Sequence, residues 1–219
     1  MIRIYIICEG ITEELFVKKV LKPHFELKNI SVFPRSLKGG FNYDGLKHYI
    51  IKILNEDKNA YVTTLIDFYG MNDKYPGYIQ NKRQSNPIQK VESIESAIYQ
   101  DILNENPPNN NFIPHLQLHE YEALLFTKPN IMEDWLSLDM PLPKNIFQDI
   151  RDKYPTPEHI NDSPQTAPSK QILNIAPFYD KTSDGISIVQ DTGLNNIRKA
   201  CPHFNNWLNQ LEVLNVDSK

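Results

Sequence analysis

The chain predicts an α/β protein built on a mostly parallel sheet of about four strands flanked by helices. Two observations carry that expectation. Three short β-branched or aromatic runs, Ile2–Cys8, Ile30–Phe33 and Tyr61–Asp67, alternate with two stretches of helical periodicity, giving the order β-α-β-α-β with short connections. The runs are also nearly continuously apolar, which suits strands covered on both faces rather than strands with one wet face.

The first run, IRIYIIC, is followed by Glu9-Gly10 and then by a helix. Thr12 is a plausible N-cap, Leu15, Phe16, Val20 and Leu21 form its apolar stripe, and Pro23 is expected to halt it. After the second strand, Lys38–Asp44 contains Gly39-Gly40 and reads as a loop; Leu46, Tyr49, Ile50, Ile53 and Leu54 then recur at helical spacing. The third strand ends in Asp67. Residues 70–90, rich in Gly, Pro, Asn and Asp, read as a long loop at its carboxyl end. Val91–Leu103 has helical periodicity, NENPPNNN is a linker, and Phe112–Leu118 reads as a fourth strand, with Pro114 favouring an edge or irregular position. His119–Phe126 turns helical. From about Pro129, proline-rich turns separate short helical pieces, with candidates at Asn145–Lys153, Lys170–Ile175 and Asn205–Leu214. The expected organisation is a metal-binding core over residues 1–128 and a helical C-terminal extension, 129–219, packed on it.

Composition narrows the function classes. With 40% apolar and 23% charged residues in 219, the chain is of ordinary globular type. No run approaches the ~20 apolar residues that cross a bilayer, and Glu9 interrupts the apolar start too early for a signal peptide, so a cytoplasmic protein with no membrane association is expected. Cys8 and Cys201 lie in unlike contexts, which favours reduced thiols over a disulfide framework or zinc site. The net charge of −4 excludes clamping of a phosphate backbone by bulk positive charge. Any nucleic-acid role must be local, must run through divalent cations, or must rely on a basic partner.

Ligands of open α/β sheets collect at the carboxyl ends of the strands. Glu9, Asp67 and the pair Glu120 and Glu122 each follow such an end, and carboxylates brought together there need protons or divalent cations to offset their repulsion. Mg²⁺ or Mn²⁺ is the natural guest. The alternative for each one singly is that it caps the next helix or faces water. Glu13, one turn beyond Glu9, is either a further ligand or a first-turn partner of the helix dipole. His119 in HEYE has no second histidine four residues on, which disfavours zinc; it either orients a carboxylate or satisfies a backbone carbonyl. In QTAPSKQI, Ser169 and Lys170 open a helix where a phosphate could be met, or else Ser169 is a plain N-cap and Lys170 is solvated. Lys181 and Arg198 are possible phosphate contacts that default to surface charges.

At EGITE from Glu9 and the strand-ending Asp67, the chain resembles the Toprim superfamily of topoisomerases, primases and OLD-type nucleases. There a first-strand Glu and an Asp-x-Asp after the third strand bind Mg²⁺; here the second position of that pair is Tyr69, in DFYG. A fuller match is to the bacterial domain-of-unknown-function family 4276, through EGITE, DFYG, HEYEALLF, PEHIN, APSK and CPHFNNW. The resemblance implies a Toprim-like core in which Glu120 or Glu122 replaces the missing aspartate, and a neighbouring ATPase of the AAA or ABC type in bacterial phage-defence loci. The expected function is a Mg-dependent nuclease, a hydrolase of DNA or RNA, with Glu9, Asp67, Glu120 and Lys170 catalytic and with Glu9, Glu13, Asp67, Glu120 and Glu122 around the metal. The alternatives are a non-catalytic partner subunit of an ATPase, with a structural or regulatory cation site, and nucleotidyl transfer.

Overall fold

A computed structural model describes residues 1–37, 42–106, 111–160 and 166–214. The Gly39-Gly40 part of the first loop and the centre of the NENPPNNN linker lie outside the described residues. The chain divides into two compact units, Met1–Gln117 with Gln210–Lys219, and Leu118–Asn209.

The first unit holds the sheet. Strand β1 (Ile2–Cys8) is its hub: β2 (Ile30–Ser36) runs parallel on one side, with Ile2 opposite Ile30 and Cys8 opposite Ser36. On the other side β3 (Tyr61–Asp67) is also parallel, with Ile4 opposite Tyr61 and Cys8 opposite Leu65. Two short strands, β4 (Phe112–Ile113) and β5 (Leu116–Gln117), pair with β3, giving the order β2-β1-β3-β4 with β5 beside β3. The α/β class and the parallel sheet follow the expectation. Ile4, Ile6, Ile7, Val62, Leu65 and Ile66 are buried, as the apolar runs required.

The expected single strand Phe112–Leu118 is instead broken in two. Pro114 has no N–H to offer a ladder. His115 leaves the ladder as well and exchanges both backbone bonds with a side chain: Thr64 Oγ1 donates to the His115 carbonyl at 2.8 Å and accepts its N–H at 3.0 Å.

The helices differ from the sequence pattern in instructive ways. Pro23 does not halt the first helix. α1 (Ile11–Phe16) widens into a π-turn, Val17–Leu21, and resumes as α2 (Lys22–Glu26), with Pro23 in the first turn of the resumed segment, where a missing N–H costs little. The buried face is Phe16, Val17, Leu21 and Phe25, each contributing about 1.5–3 kcal/mol of gross burial, while Val20 is only half-buried. Thr12 is not the cap: Gly10 occupies that position, and its N–H donates to Glu13 Oε2 at 2.8 Å.

α3 (Tyr43–Glu56) is capped by Asn42, whose side chain accepts the Gly45 N–H, and packs Leu46, Ile50, Ile53 and Leu54 inward. Residues 70–90 are shorter in loop than expected. They hold α4 (Tyr78–Asn81) and the start of α5 (Pro87–Glu105), capped by Asn86 and buried along Val91, Ile94, Ile98 and Ile102.

The second unit is helical. A 3-10 segment, Tyr121–Thr127, leads into α6 (Pro129–Leu136), α7 (Ile146–Arg151), α8 (Pro168–Ile175), α9 (Asp184–Thr192) and α10 (Leu194–Ala200). α11 (Pro202–Val213) begins in this unit and has its last residues in the first. Three helices, α6, α9 and α10, go beyond the pieces read from periodicity. Glu158, fully buried, accepts the N–H groups of His203 at 3.0 Å and Phe204 at 2.8 Å. It thereby satisfies two of the orphan donors at the start of α11, so Glu158 and His203-Phe204 are two halves of one helix cap.

Candidate metal centre

The sheet order changes direction at β1: the chain leaves β1 toward β2 and leaves β3 toward β4. Such a switch point opens a crevice at the carboxyl ends of the two central strands. Glu9 directly follows β1 and Asp67 ends β3. The Glu9 N–H donates to the Leu65 carbonyl at 3.3 Å, extending the ladder by one bond, and the Asp67 N–H donates to Glu9 Oε2 at 3.1 Å. Main chain thus fixes both carboxylates at neighbouring positions.

The turn after β3, Phe68–Gly70, comes back toward Glu9: a Cβ placed on Gly70 would lie 3.9 Å from Glu9 Oε1. Glu13, in the first turn of α1, is buried, with one oxygen held by the Gly10 N–H. Tyr75 is buried nearby, and burial first, then the negative charge of Glu9, pushes its phenol up to about 12. Nothing in the composition of the surrounding polar loop singled out Tyr75. Carboxylates carried by two adjacent strand ends would suit a hard divalent ion such as Mg²⁺ or Mn²⁺ rather than zinc.

The second unit carries the remaining candidates. Glu120 Oε2 accepts the Ser169 N–H at 2.9 Å, so Glu120 sits at the start of α8, a residue 49 positions away. Ser169 is therefore not the N-cap of that helix; Ala167 is, with Pro168 in the first turn. Lys170, next to it, is exposed and has no ion-pair partner among the described residues. Glu122 is fully buried within an apolar 3-10 segment, and Lys181 Nζ lies 2.8 Å from its Oε1. Burial raises the Glu122 carboxyl and Lys181 opposes that rise, while the charge of Glu120 adds to it. The cation that meets Glu122 is thus Lys181, which the sequence offered as a possible phosphate contact or a plain surface charge. His119 holds a left-handed backbone, φ 63°, uncommon without glycine. Tyr179 is buried beside this group, its phenol pushed up by burial and then by Glu122. A Cβ at Gly185 would lie 2.7 Å from the Tyr179 hydroxyl, so this position has no room for a side chain.

A parallel α/β sheet with paired carboxylates at its switch point defines the class. The chain belongs to the family described as Domain of unknown function (DUF4276), which it matches over residues 8–212. No curated protein matches it. Its fold is similar to that of the C-terminal region of the Burkholderia pseudomallei OLD protein, with a TM-score of 0.51 and 15% identity over 97% of this chain and 98% of that one. The C-terminal region of the Xanthomonas campestris pv. campestris OLD protein aligns over 94% and 96% of the two chains, with 16% identity and a TM-score of 0.42. At 15% identity the likeness to the Burkholderia pseudomallei region is one of fold. Among the described residues no helix is long and apolar enough to cross a membrane.

Proposed function

We propose that this chain is a divalent-cation-dependent phosphodiesterase acting on DNA or RNA, a defence nuclease that works with an ATPase of the AAA or ABC type. The observation that carries this reading is the seating of Glu9 and Asp67 at the switch point of a parallel sheet, locked by the Asp67 N–H on Glu9 Oε2. The fold likeness to the OLD C-terminal region and the EGITE and DFYG motifs support it.

In this reading Glu9 and Asp67 would hold Mg²⁺ or Mn²⁺, with Glu13, one helical turn beyond Glu9, as a further ligand. Such an ion lowers the pKa of bound water and offsets charge on the departing oxygen. The chain's own residues supply the rest: Glu9 and Asp67 would fix the position of the ion, and Lys170 is proposed separately as a phosphate contact.

A second reading is favoured by two observations. Tyr69 stands where a second aspartate would complete the acidic pair, and Lys181 already neutralises Glu122. A chain with fewer available ligands suits a non-catalytic partner subunit with a regulatory cation site.

The deciding experiment incubates the purified protein, with and without its genomic-neighbour ATPase, with labelled DNA, RNA and nucleotides in Mg²⁺ or Mn²⁺. Cleavage of polymer, alone or with the ATPase, is the expected result. Cation-dependent stabilisation with no turnover under any condition selects the second reading. Equal activity of wild type and Lys170→Ala returns Lys170 to the solvated surface.

A further inference from the structure

The protein is acidic overall, yet the segment that follows Asp67 is not. From Phe68 to Lys90 it carries Lys74, Lys82, Arg83 and Lys90 against the single acid Asp73, a net charge of +3 in a chain of −4. Lys74, Lys82 and Arg83 are exposed, and none of them has an ion-pair partner among the described residues. An unneutralised basic stretch attached directly to a carboxylate site is an electrostatic footprint for a polyanion.

The stretch is held in place. The Phe68 ring packs at 6.2 Å from Tyr78, and the Lys90 ammonium lies 5.4 Å over the same ring and donates to the Lys82 carbonyl at 3.3 Å. These contacts tie the two ends of the segment together. Gly77 takes φ 76°, and a Cβ there would lie 2.8 Å from that of Ala97, so glycine alone allows this close seating on α5. Tyr75 anchors the middle, buried against Tyr43 with ring centroids 5.3 Å apart.

While Phe68 turns into these contacts, its neighbour Tyr69 is left 46% exposed, with no ring partner among the described residues. Ile11, two residues beyond Glu9, is 55% exposed. Glu9 and Asp67 are therefore each followed, two positions on, by an exposed apolar side chain. A duplex hides its base faces within the stack; an exposed aromatic ring beside a metal-binding crevice can engage only a base whose face is open.

We infer that Phe68–Lys90 is a docking arm for single-stranded nucleic acid, with Lys74, Lys82 and Arg83 tracking phosphates and Tyr69 stacking on the base next to the bond presented to Glu9 and Asp67. The inference rests on the phosphodiesterase reading and names its substrate class: an unpaired strand or frayed end, rather than intact duplex.

The test measures binding without turnover. A fluorescent oligonucleotide, single-stranded or as a blunt duplex, is titrated with full-length protein in EDTA over a range of salt. Wild type should bind the single strand more tightly than the duplex. Lys82→Ala/Arg83→Ala should lower the slope of log affinity against log salt by about 1.4, at about 0.7 per phosphate contact. Tyr69→Ala should weaken single-strand binding by about fivefold or more while leaving duplex binding unchanged, and Tyr69→Phe should keep wild-type affinity. Tyr69, Lys82 and Arg83 are all exposed, so unchanged melting curves are expected. An unaltered salt slope, wild-type affinity in Tyr69→Ala, or equal affinity for duplex overturns the arm. Single-strand binding that follows these variants, with no cleavage in Mg²⁺ or Mn²⁺, upholds the arm and removes only the catalytic reading. Cleavage that depends on Asp67 but proceeds at wild-type rate and affinity in both arm variants overturns the arm alone.

Discussion

Asp67 donates its backbone N–H to Glu9 Oε2 at 3.1 Å, so the carboxylate after β1 is steered by the main chain of the strand that carries its companion. The acidic pair is thus built by parallel pairing itself, and changing either carboxylate leaves the ladder that positions it intact.

For this reason Glu9→Ala and Asp67→Asn should fold, and differ from wild type in response to cations. Mg²⁺ or Mn²⁺ should raise the melting temperature of wild type through mass action and leave both variants unmoved. Nuclease activity of Asp67→Asn should fall by more than about a hundredfold. Cleavage retained in that variant would place the chemistry elsewhere.

Glu158 should matter to stability rather than to chemistry. Glu158→Ala strands two buried N–H groups at the start of α11, at about 1–3 kcal/mol each, and Glu158→Gln should recover part of that. Urea unfolding checks this. A loss below about 1 kcal/mol for Glu158→Ala would mean that the helix end finds other partners.

Breaking the Glu122 and Lys181 pair from one side should cost more than removing both ends. Lys181→Met leaves a buried carboxylate uncompensated; because half of Lys181 is solvent-exposed, the expected loss is screened to about 1–2 kcal/mol. Adding Glu122→Gln should restore most of it. A double-mutant cycle by urea unfolding in metal-free buffer measures the coupling, and strict additivity would show the two side chains to be independent.

Asp180 sets an acid limit on the second unit. The Thr182 hydroxyl, then the Ser183 and Thr182 amides, hydrogen-bond to it and hold its carboxyl down to about 2. An unfolded aspartate titrates near 4, so the unfolded chain takes up this proton first. The stabilisation from Asp180 is therefore complete above about pH 4 and is lost as pH falls toward about 2. The gap in melting temperature between wild type and Asp180→Ala should narrow across that window. A gap independent of pH would show that ionisation plays no part.

The periodic parts of the chain were legible because one local rule governed them. Apolar runs gave β1, β2 and β3, and the position of Glu9 and Asp67 after them follows from the parallel order. What escaped depends on distant partners. Pro23 stops an isolated helix, but a π-turn and the burial of Phe25 carry this one past it. Thr12 looks like a cap until Gly10 is found donating to Glu13. Ser169 looks like another, but the acceptor at that helix start is Glu120, 49 residues away. Lys181 was indistinguishable from any solvated lysine because its worth comes from Glu122, which only the fold buries beside it.

Each compact unit carries one cysteine, Cys8 in the first and Cys201 in the second, both free and fully enclosed, with thiols that burial pushes well up. Neither can meet an alkylating reagent until its own surroundings open. The wild-type chain is therefore equipped with two built-in clocks: the rate at which each sulfur is modified times the opening of the unit around it, and mass spectrometry of the two peptides would read both from a single reaction.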